Sequence, residues 1–325
     1  MPDIRPYFLS GKQPIEWRRM QKTKNPDCFD ISIVIVAYNN ESIIIQCLGS
    51  LFAALEQYRC QLTIIDNASS DATVPLIEKA CAAFHSRDNH FEIIANRENK
   101  GFTKALNQGL EKSAGEYILI LNPDVIVCQE TITMLLPLFE RNEKIGVVAP
   151  QLRFMNGTVQ PSCRNFPRKQ DVLFELFGLN RLFSTGTFFN HWRMPDFDHR
   201  SSRFVDQVQG AFLLTKQPIL KRVGLFDERF FMFFSDVDWC RRVMQNGLHI
   251  RFSPESYVLH EKGGSDYKNR EKMIVTSHRS LVQYFKKYDR TLSQETLTCV
   301  IHFLLLAILL PRILLCKVEK LRRTG

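Results

Sequence analysis

The residues best suited to chemistry are acids placed where apolar runs stop. Ile118-Leu119-Ile120-Leu121 reads as a buried strand, and it ends at Asn122-Pro123-Asp124. An unpaired charge inside a buried strand is costly, whereas a carboxylate at the strand's carboxyl end is free to meet a ligand. Asp66 closes a second apolar run in the same way, and Asp236 and Asp238 follow a third, Phe230 to Phe234. Carboxylates of this kind can accept a proton from a substrate hydroxyl or hold a divalent cation. His260, ahead of Gly263-Gly264-Ser265, is a further candidate ligand. Each acid also has a plainer reading. Asp is a common turn residue, and acids in a first helical turn are favoured by the macrodipole.

The elements that would position these groups alternate regularly. Residues 31–37 (ISIVIVA) form a β-branched run suited to a parallel strand, and Tyr38-Asn39-Asn40 follows as a turn and cap. Helical spacing runs from Glu41 to Leu55, and a short strand covers Leu62 to Ile65. A helix to about Phe84, a strand from Phe91 to Ala95, a helix from Phe102 to Ser113 and the strand before Asn122 come next. Four strands alternating with helices predict a parallel sheet with helices on both faces. Polar residues follow each strand: Tyr38-Asn39, Asp66-Asn67, Asn96 to Asn99, and Asn122 with Asp124. Four such ends at one edge mark a ligand crevice. Further on, the pattern predicts a helix over 131–141, strands over 145–149 and 208–214, a helix from 236 to 247 and another from 268 to 287. Residues 151–206 show little periodicity.

At 325 residues the chain can bury a large core, and its charge of +9 suits an anionic partner. No basic-aromatic nucleic-acid module is visible, so no nucleic-acid partner is expected. Neither GxGxxG after the first strand nor GxxxxGK[ST] occurs, which disfavours dehydrogenases and P-loop enzymes. The nine cysteines form no CxxC pair, and reduced thiols are expected.

Several ordered motifs carry a family likeness: VIVAYNN (34–40), IIDNASSD (64–71), NRENKGFTKALNQG (96–109), LILNPDV (119–125), QGAFLLT (209–215), GLFDERFFMFFSDVDWCRRV (224–243) and HEKGGS (260–265). From about Ile31 to Tyr288 the chain resembles inverting family 2 glycosyltransferases of the GT-A fold, most closely the bacterial rhamnosyltransferase-like branch. The resemblance implies transfer of a sugar, such as rhamnose, from a dTDP- or UDP-linked donor to a glycan or lipid-linked hydroxyl. It implies Asp236 as general base, with Ser235 and Asp238 on the acceptor side. Asp124 would be the metal ligand of a DXD-type motif whose first acid is here Asn122, holding Mg2+ or Mn2+ with His260 near the metal or diphosphate. Asp66, Asn39 and Tyr38 would meet the nucleoside, and Asn99, Gly101, Phe102 and Asn107 would line the donor pocket, with Gly101 letting backbone approach the ligand. Ser235 stands where the family usually has Glu. A non-catalytic scaffold with a degenerate site is the alternative.

The segment Leu297 to Cys316 is apolar for about the length of a membrane span, but His302, Pro311 and Arg312 interrupt it and Lys317, Lys320, Arg322 and Arg323 follow. A short span, a helix in the membrane interface and a helix covering a protein groove are all compatible with it. The expected organisation is an N-terminal extension over 1–30, a GT-A domain over 31–290 and a membrane-associating segment over 291–325, placed at the cytoplasmic face of the cell membrane. Arg153, Arg164 and Arg168 in the irregular segment are candidates to meet a lipid diphosphate, and Arg279 could reach a phosphate or simply form a basic helix face.

Overall fold

The computed structural model describes residues 29–82, 89–261 and 270–324. Most of the 1–30 extension, the end of the helix expected to reach Phe84, Gly263 to Ser265 and the first residues of the helix expected from 268 lie outside them.

β1 (Ile31–Ala37) is buried along its whole length, as a strand covered on both faces must be. It pairs in parallel with β2 (Cys60–Asp66) on one side, and β2 pairs in parallel with β3 (His90–Ala95). On its other side β1 pairs in parallel with β4 (Tyr117–Leu121). The crossovers are α1 (Ile44–Leu55), α2 (Thr73–Ala82) and α3 (Phe102–Glu111). The period-2 alternation of β1 divides its side chains between the two faces. Ile31, Ile33 and Ile35 pack with Ile44, Leu48, Leu51 and Leu55 of α1, while Val34 and Val36 pack with Ala105, Leu106 and Leu110 of α3. The expected sheet with helices on both faces is therefore present.

Beyond β4 come β5 (Val125–Val127), α4 (Thr131–Leu135), α5 (Pro137–Arg141) and β6 (Ile145–Arg153). The single helix expected over 131–141 is split because Pro137 has no N–H to continue the ladder. The irregular segment holds β7 (Cys163–Arg164), α6 (Lys169–Leu176), α7 (Leu179–Leu182), a 3-10 turn at His191–Arg193 and β8 (Arg203–Val205). The strand expected over 208–214 is interrupted. β9 (Gln207–Val208) pairs with β7, and β10 (Phe212–Lys216) crosses antiparallel between β4 and β6. The chain continues through α8 (Gln217–Val223), α9 (Ser235–Gln245), β11 (His249–His260), α10 (Arg270–Tyr288) and α11 (Leu292–Thr324). The sheet order is β3-β2-β1-β4-β10-β6-β11-β5, with β8 on β11. The parallel run thus gives way to antiparallel pairing at β4, a topological switch.

A third apolar cluster fixes the C-terminal helices. Val172 of α6, Phe230, Phe234 and Val237 around the start of α9, Tyr284 and Phe285 of α10, and Ile301 and Leu305 of α11 pack together. Ile301 and Leu305 share one helix face, whereas Val300, Phe303 and Leu306 are exposed. Residues Leu292–Ile313 are long and apolar enough to cross a membrane.

Candidate active site

The polar ends of β1, β2 and β3 are tied into one rim. The Asn67 N–H donates to the Ala37 carbonyl, and the Asn96 N–H to that of Asp66 (2.8 and 2.9 Å). Asn39 sits in the left-handed region (φ +54°), a conformation that Asn tolerates better than most residues. Its N–H donates to Ser69 Oγ (2.9 Å) and its side-chain oxygen accepts from the Ser70 N–H (2.8 Å). The neighbouring Tyr38 N–H donates to Asn40 Oδ1 (2.7 Å). Asp66 is buried, and both its oxygens accept from the Ser69 N–H (3.1 and 3.4 Å). Asn67 donates to Asn99 Oδ1 (3.0 Å) and accepts from the Lys100 N–H (3.0 Å), so the β2 and β3 ends share a network. Tyr38, Asn39, Asp66 and Asn99 are thereby brought to one edge. Asn40 and Asn67, polar residues of the same strand ends, hold them there.

Gly101, Phe102 and Asn107 pack against the segment that leads into α9. Gly101 has φ +84° and ψ 157°, a region essentially reserved for glycine. A Cβ there would lie 2.5 Å from Phe231 Cδ2 and 2.7 Å from the Phe231 carbonyl oxygen. The close backbone approach that Gly101 permits in this structure is to Phe231. Asn107 donates to the Phe226 carbonyl (2.8 Å) and Glu228 Oε1 (3.1 Å), and accepts from the Phe226 N–H (3.0 Å). Its hydrogen-bonding groups are occupied by protein, and Phe102 packs against the apolar cluster beneath. Together they clamp the segment before α9 onto α3. Gly101→Ala is expected to cost at least about 1–3 kcal/mol from backbone strain alone, measured as a lower denaturation midpoint in urea.

The turns that carry Asp124 and Asp236 are both anchored at the start of β10. The Asn122 N–H donates to the Ala211 carbonyl (2.9 Å), which fixes the Asn122-Pro123-Asp124 turn against the start of β10. His260 pairs with Val125 across β11 and β5, and the Glu261 N–H donates to the Asp124 carbonyl (3.0 Å). His260 Nε2 comes within 3.4 Å of Asp124 Oδ1, and Nδ1 contacts Gln160 Oε1 at 3.0 Å. Asp124 Oδ1 is buried and has no hydrogen-bond partner. A buried carboxylate oxygen without a donor is costly, and the adjacent imidazole nitrogen supplies a second lone pair when neutral. This donor pair fits a divalent cation that takes its remaining ligands from phosphate and water. Among the described residues no group of three or more His, Cys, Asp or Glu side chains comes together, so the protein alone offers a sparse site. A shallow cleft beside Asp124 is lined by Ile43, Gln46, Cys47, Met155 and Glu261. Gln160, missed from sequence, lies in the irregular segment where no periodicity marks it.

Asp236 reaches the same edge from the other direction. Its Oδ2 accepts from the Gly210 N–H (3.1 Å) and its Oδ1 from the Val237 N–H (2.9 Å). Gly210 adjoins Ala211, whose carbonyl holds Asn122, so one peptide unit separates the anchors of the two acid-bearing turns. Burial raises the Asp236 pKa above the ordinary aspartate value, and the two N–H donors only partly offset it. Asp236 nonetheless keeps part of its surface open to solvent. Phe234, immediately before α9, is held in the left-handed region (φ +67°), wedged against Trp192 and Tyr284.

The expectation that Asp238 and Ser235 face an acceptor is corrected. Asp238 has no exposed surface. It pairs with Arg242 (3.0 Å) and Lys287 and accepts from the Tyr288 hydroxyl (2.8 Å). Ser235 is buried and donates to the Met232 carbonyl (3.0 Å). Residues two apart on a helix project about 200° apart, so one acid of the pair turns outward and the other inward. Arg242, Lys287 and Tyr288 were not singled out from sequence, although Arg242 stands four residues from Asp238, the spacing of a helical ion pair. Arg168 is engaged by Asp171 (2.8 Å), and Arg153 donates to Gln151 (2.6 Å) with its guanidinium over Tyr257. Arg279 is exposed on α10.

Residues 32–199, more than half of the chain, match the family model described as Glycosyl transferase family 2. The chain is 27% identical over 266 residues to the N-acetylglucosaminyl-diphospho-decaprenol L-rhamnosyltransferase of Mycobacterium tuberculosis, covering 77% of this chain and 82% of that protein. It is 23% identical to the poly-beta-1,6-N-acetyl-D-glucosamine synthase of Staphylococcus epidermidis, covering 86% of this chain and 62% of that one. In fold it is similar to a mannosyltransferase from Pyrobaculum calidifontis solved with GDP-Man and Mn2+, with a TM-score of 0.54 and 18% identity over 93% of this chain and 80% of that chain.

Proposed function

The chain belongs to glycosyl transferase family 2 and is a glycosyltransferase; from that premise we propose that it moves a deoxyhexose, rhamnose in the first instance, from a dTDP- or UDP-linked donor to the sugar of a diphospholipid acceptor, with inversion. The acceptor class follows the mycobacterial relative, whose name specifies an N-acetylglucosaminyl-diphospho-prenol. The observation that carries the reading is the pairing of two turns at one sheet edge: Asn122 bonds Ala211, and Gly210 bonds Asp236. That adjacency supports a division of labour in which Asp124 holds the cation and Asp236 accepts the proton.

Asp236 takes the proton of the acceptor hydroxyl as that oxygen bonds to the anomeric carbon. The carbon–oxygen bond to the diphosphate breaks on the opposite face, and its electron pair leaves with the nucleoside diphosphate. One displacement gives one inversion. The raised pKa suits Asp236 to the task, because a stronger base removes a proton more readily, provided the working pH stays above that pKa. Asp124 and His260 would hold Mg2+ or Mn2+, which when bound neutralises charge on the departing diphosphate. Asp66, Asn39 and Tyr38 orient the nucleoside, and Asn99 and Asn122 border the donor. The exposed face of α11 attaches the enzyme to the cytoplasmic surface of the membrane, where such an acceptor resides.

Purified protein with dTDP-rhamnose and a short-chain N-acetylglucosaminyl-diphospho-prenol should release nucleoside diphosphate and form a disaccharide of inverted anomeric configuration, read by NMR. Release without transfer, or no release over a panel of donors, refutes the proposal. The metal reading has its own test. Adding Mn2+ with nucleoside diphosphate should raise the melting temperature by more than the two ligands give separately, as linked binding requires. Asp124→Ala should abolish that excess, and EDTA should abolish turnover of the wild type. An undiminished excess in Asp124→Ala would remove Asp124 from the metal site.

A further inference from the structure

We propose that Arg164 and Trp192 form a receptor for the anionic phosphate or diphosphate group of the acceptor, beside the Asp236 base. This rests on the transfer reading above and adds the residues that recognise the acceptor's charge.

The backbone places Arg164 on the Asp236 side of the molecule. Arg164 pairs with Gln207 across β7 and β9, and the Gln209 N–H donates to the Ser162 carbonyl (2.9 Å). The next residue, Gly210, donates its N–H to Asp236. The Arg164 guanidinium lies 5.8 Å from the centre of the Trp192 ring. Trp192 in turn packs at 6.1 Å against Phe234, which leads into the Asp236 helix. Asn165 pins the Trp192 turn to this strand: its N–H donates to the Trp192 carbonyl (3.2 Å) and its side chain to that of His191 (2.8 Å). The two donors are thus held in place before any ligand arrives.

Among the described residues neither N–H donor meets an acceptor. Among the described residues no hydrogen-bond acceptor and no carboxylate within 4.0 Å engages the Arg164 side chain, in contrast to Arg168 and Arg153. The Trp192 Nε1–H is buried without an acceptor. Glu175, whose charge acts on Arg164, is held by Arg193 at 2.8 Å, and Asp171 by Arg168. Burial and the Arg193 charge disfavour the Arg164 cation, so an arriving anion would relieve it. A guanidinium and an indole offer only donors, and a partner that satisfies both must be rich in acceptor oxygens. Phosphate meets that demand, and a planar guanidinium binds it through paired N–H groups. Both residues remain partly open to solvent, although the Trp192 Nε1 atom itself is buried.

The test compares two acceptors bearing the same sugar, one linked through a diphosphate to a short prenyl chain, the other a neutral alkyl glycoside. Arg164→Gln should lower kcat/KM for the charged acceptor relative to the neutral one by about 10- to 100-fold, the value of a hydrogen bond to a charged group. Arg164→Lys should restore part of that ratio. Trp192→Phe, which keeps a ring and removes one donor, should lower it by less. An equal loss on both acceptors would make Arg164 merely structural, and unchanged kcat/KM for both would exclude it. A loss of nucleoside diphosphate affinity in titration would assign it to the donor and overturn the proposal. Should Arg164→Gln not fold, Arg164→Lys and Trp192→Phe carry the comparison. Wild-type transfer to either acceptor decides the transfer reading itself, independently of any ratio.

Discussion

Replacing Asp236 with asparagine is expected to lower kcat by about 10²- to 10⁴-fold, the usual worth of a positioned general base, while binding of nucleoside diphosphate is retained. The amide cannot accept the acceptor's proton, yet it keeps the shape of the side chain and can still accept from one of the Gly210 and Val237 N–H groups. Two pH dependences accompany the loss. The rate of the wild type should fall on the acid side at a pH above that of an ordinary aspartate, because burial raises the pKa of this carboxyl. Stability should move in the opposite sense. A carboxyl whose folded pKa exceeds its unfolded value contributes stability below the unfolded pKa, here near 3.8, and loses it as pH rises through the folded value. Melting temperatures of wild type and Asp236→Asn, compared from acid to neutral pH, should therefore favour the wild type most at low pH. A difference that grows toward neutrality would contradict the burial of this carboxylate. Full turnover in the variant would remove the base assignment.

Asp238→Asn should do the reverse: unfold the protein rather than silence it. This carboxylate is fully buried and shared by Arg242, Lys287 and the Tyr288 hydroxyl. Removing one partner of a buried ionic cluster leaves the others uncompensated, at a cost of about 3–5 kcal/mol. Lys287 also bonds Asp227 (2.7 Å), which Arg229 pairs as well. Although burial works to raise the Asp227 pKa, these cations hold its carboxyl well below the usual range. The damage should therefore spread along the contact between α9 and α10. Chemical denaturation gives the measurement: a midpoint near that of wild type would show that Asp238 does not bind the two helices together. Neighbouring acids in one motif thus separate cleanly, one bearing on rate and the other on stability.

The parallel half of the fold was plain in the sequence because β1, β2 and β4 are buried on both faces. Ile31 to Ala37 is apolar but for Ser32, and such runs stop at polar residues. Asp66, Asp124 and Asp236 were visible for the same reason, as charges at the margins of apolar segments. Three features were hidden. β11 alternates through Ile250 and Phe252, but Pro254, Glu255 and Ser256 break the pattern where its pairing with β6 shifts register. The run 208–214 gave no sign that Gln209, Gly210 and Ala211 leave one sheet for another, because that break is imposed by long-range bonds to Ser162, Asp236 and Asn122. The inward turn of Asp238 was hidden as well, since an acid-x-acid pattern at a helix start does not say which acid faces the core. The sequence marks Gly101, but only packing reveals that its neighbour is Phe231.

The antiparallel crossing of β10 between β4 and β6 sets an order for biosynthesis. Strands β1 to β4 carry their own pairing and can assemble on the ribosome once Leu121 has emerged. β6 cannot join them until residues 212–216 arrive to lie between, and Asp236 emerges later still. A nascent chain therefore completes the polar rim at the ends of β1 to β3 well before Asp236 is available, so a product truncated ahead of α9 would have the rim and lack that carboxylate.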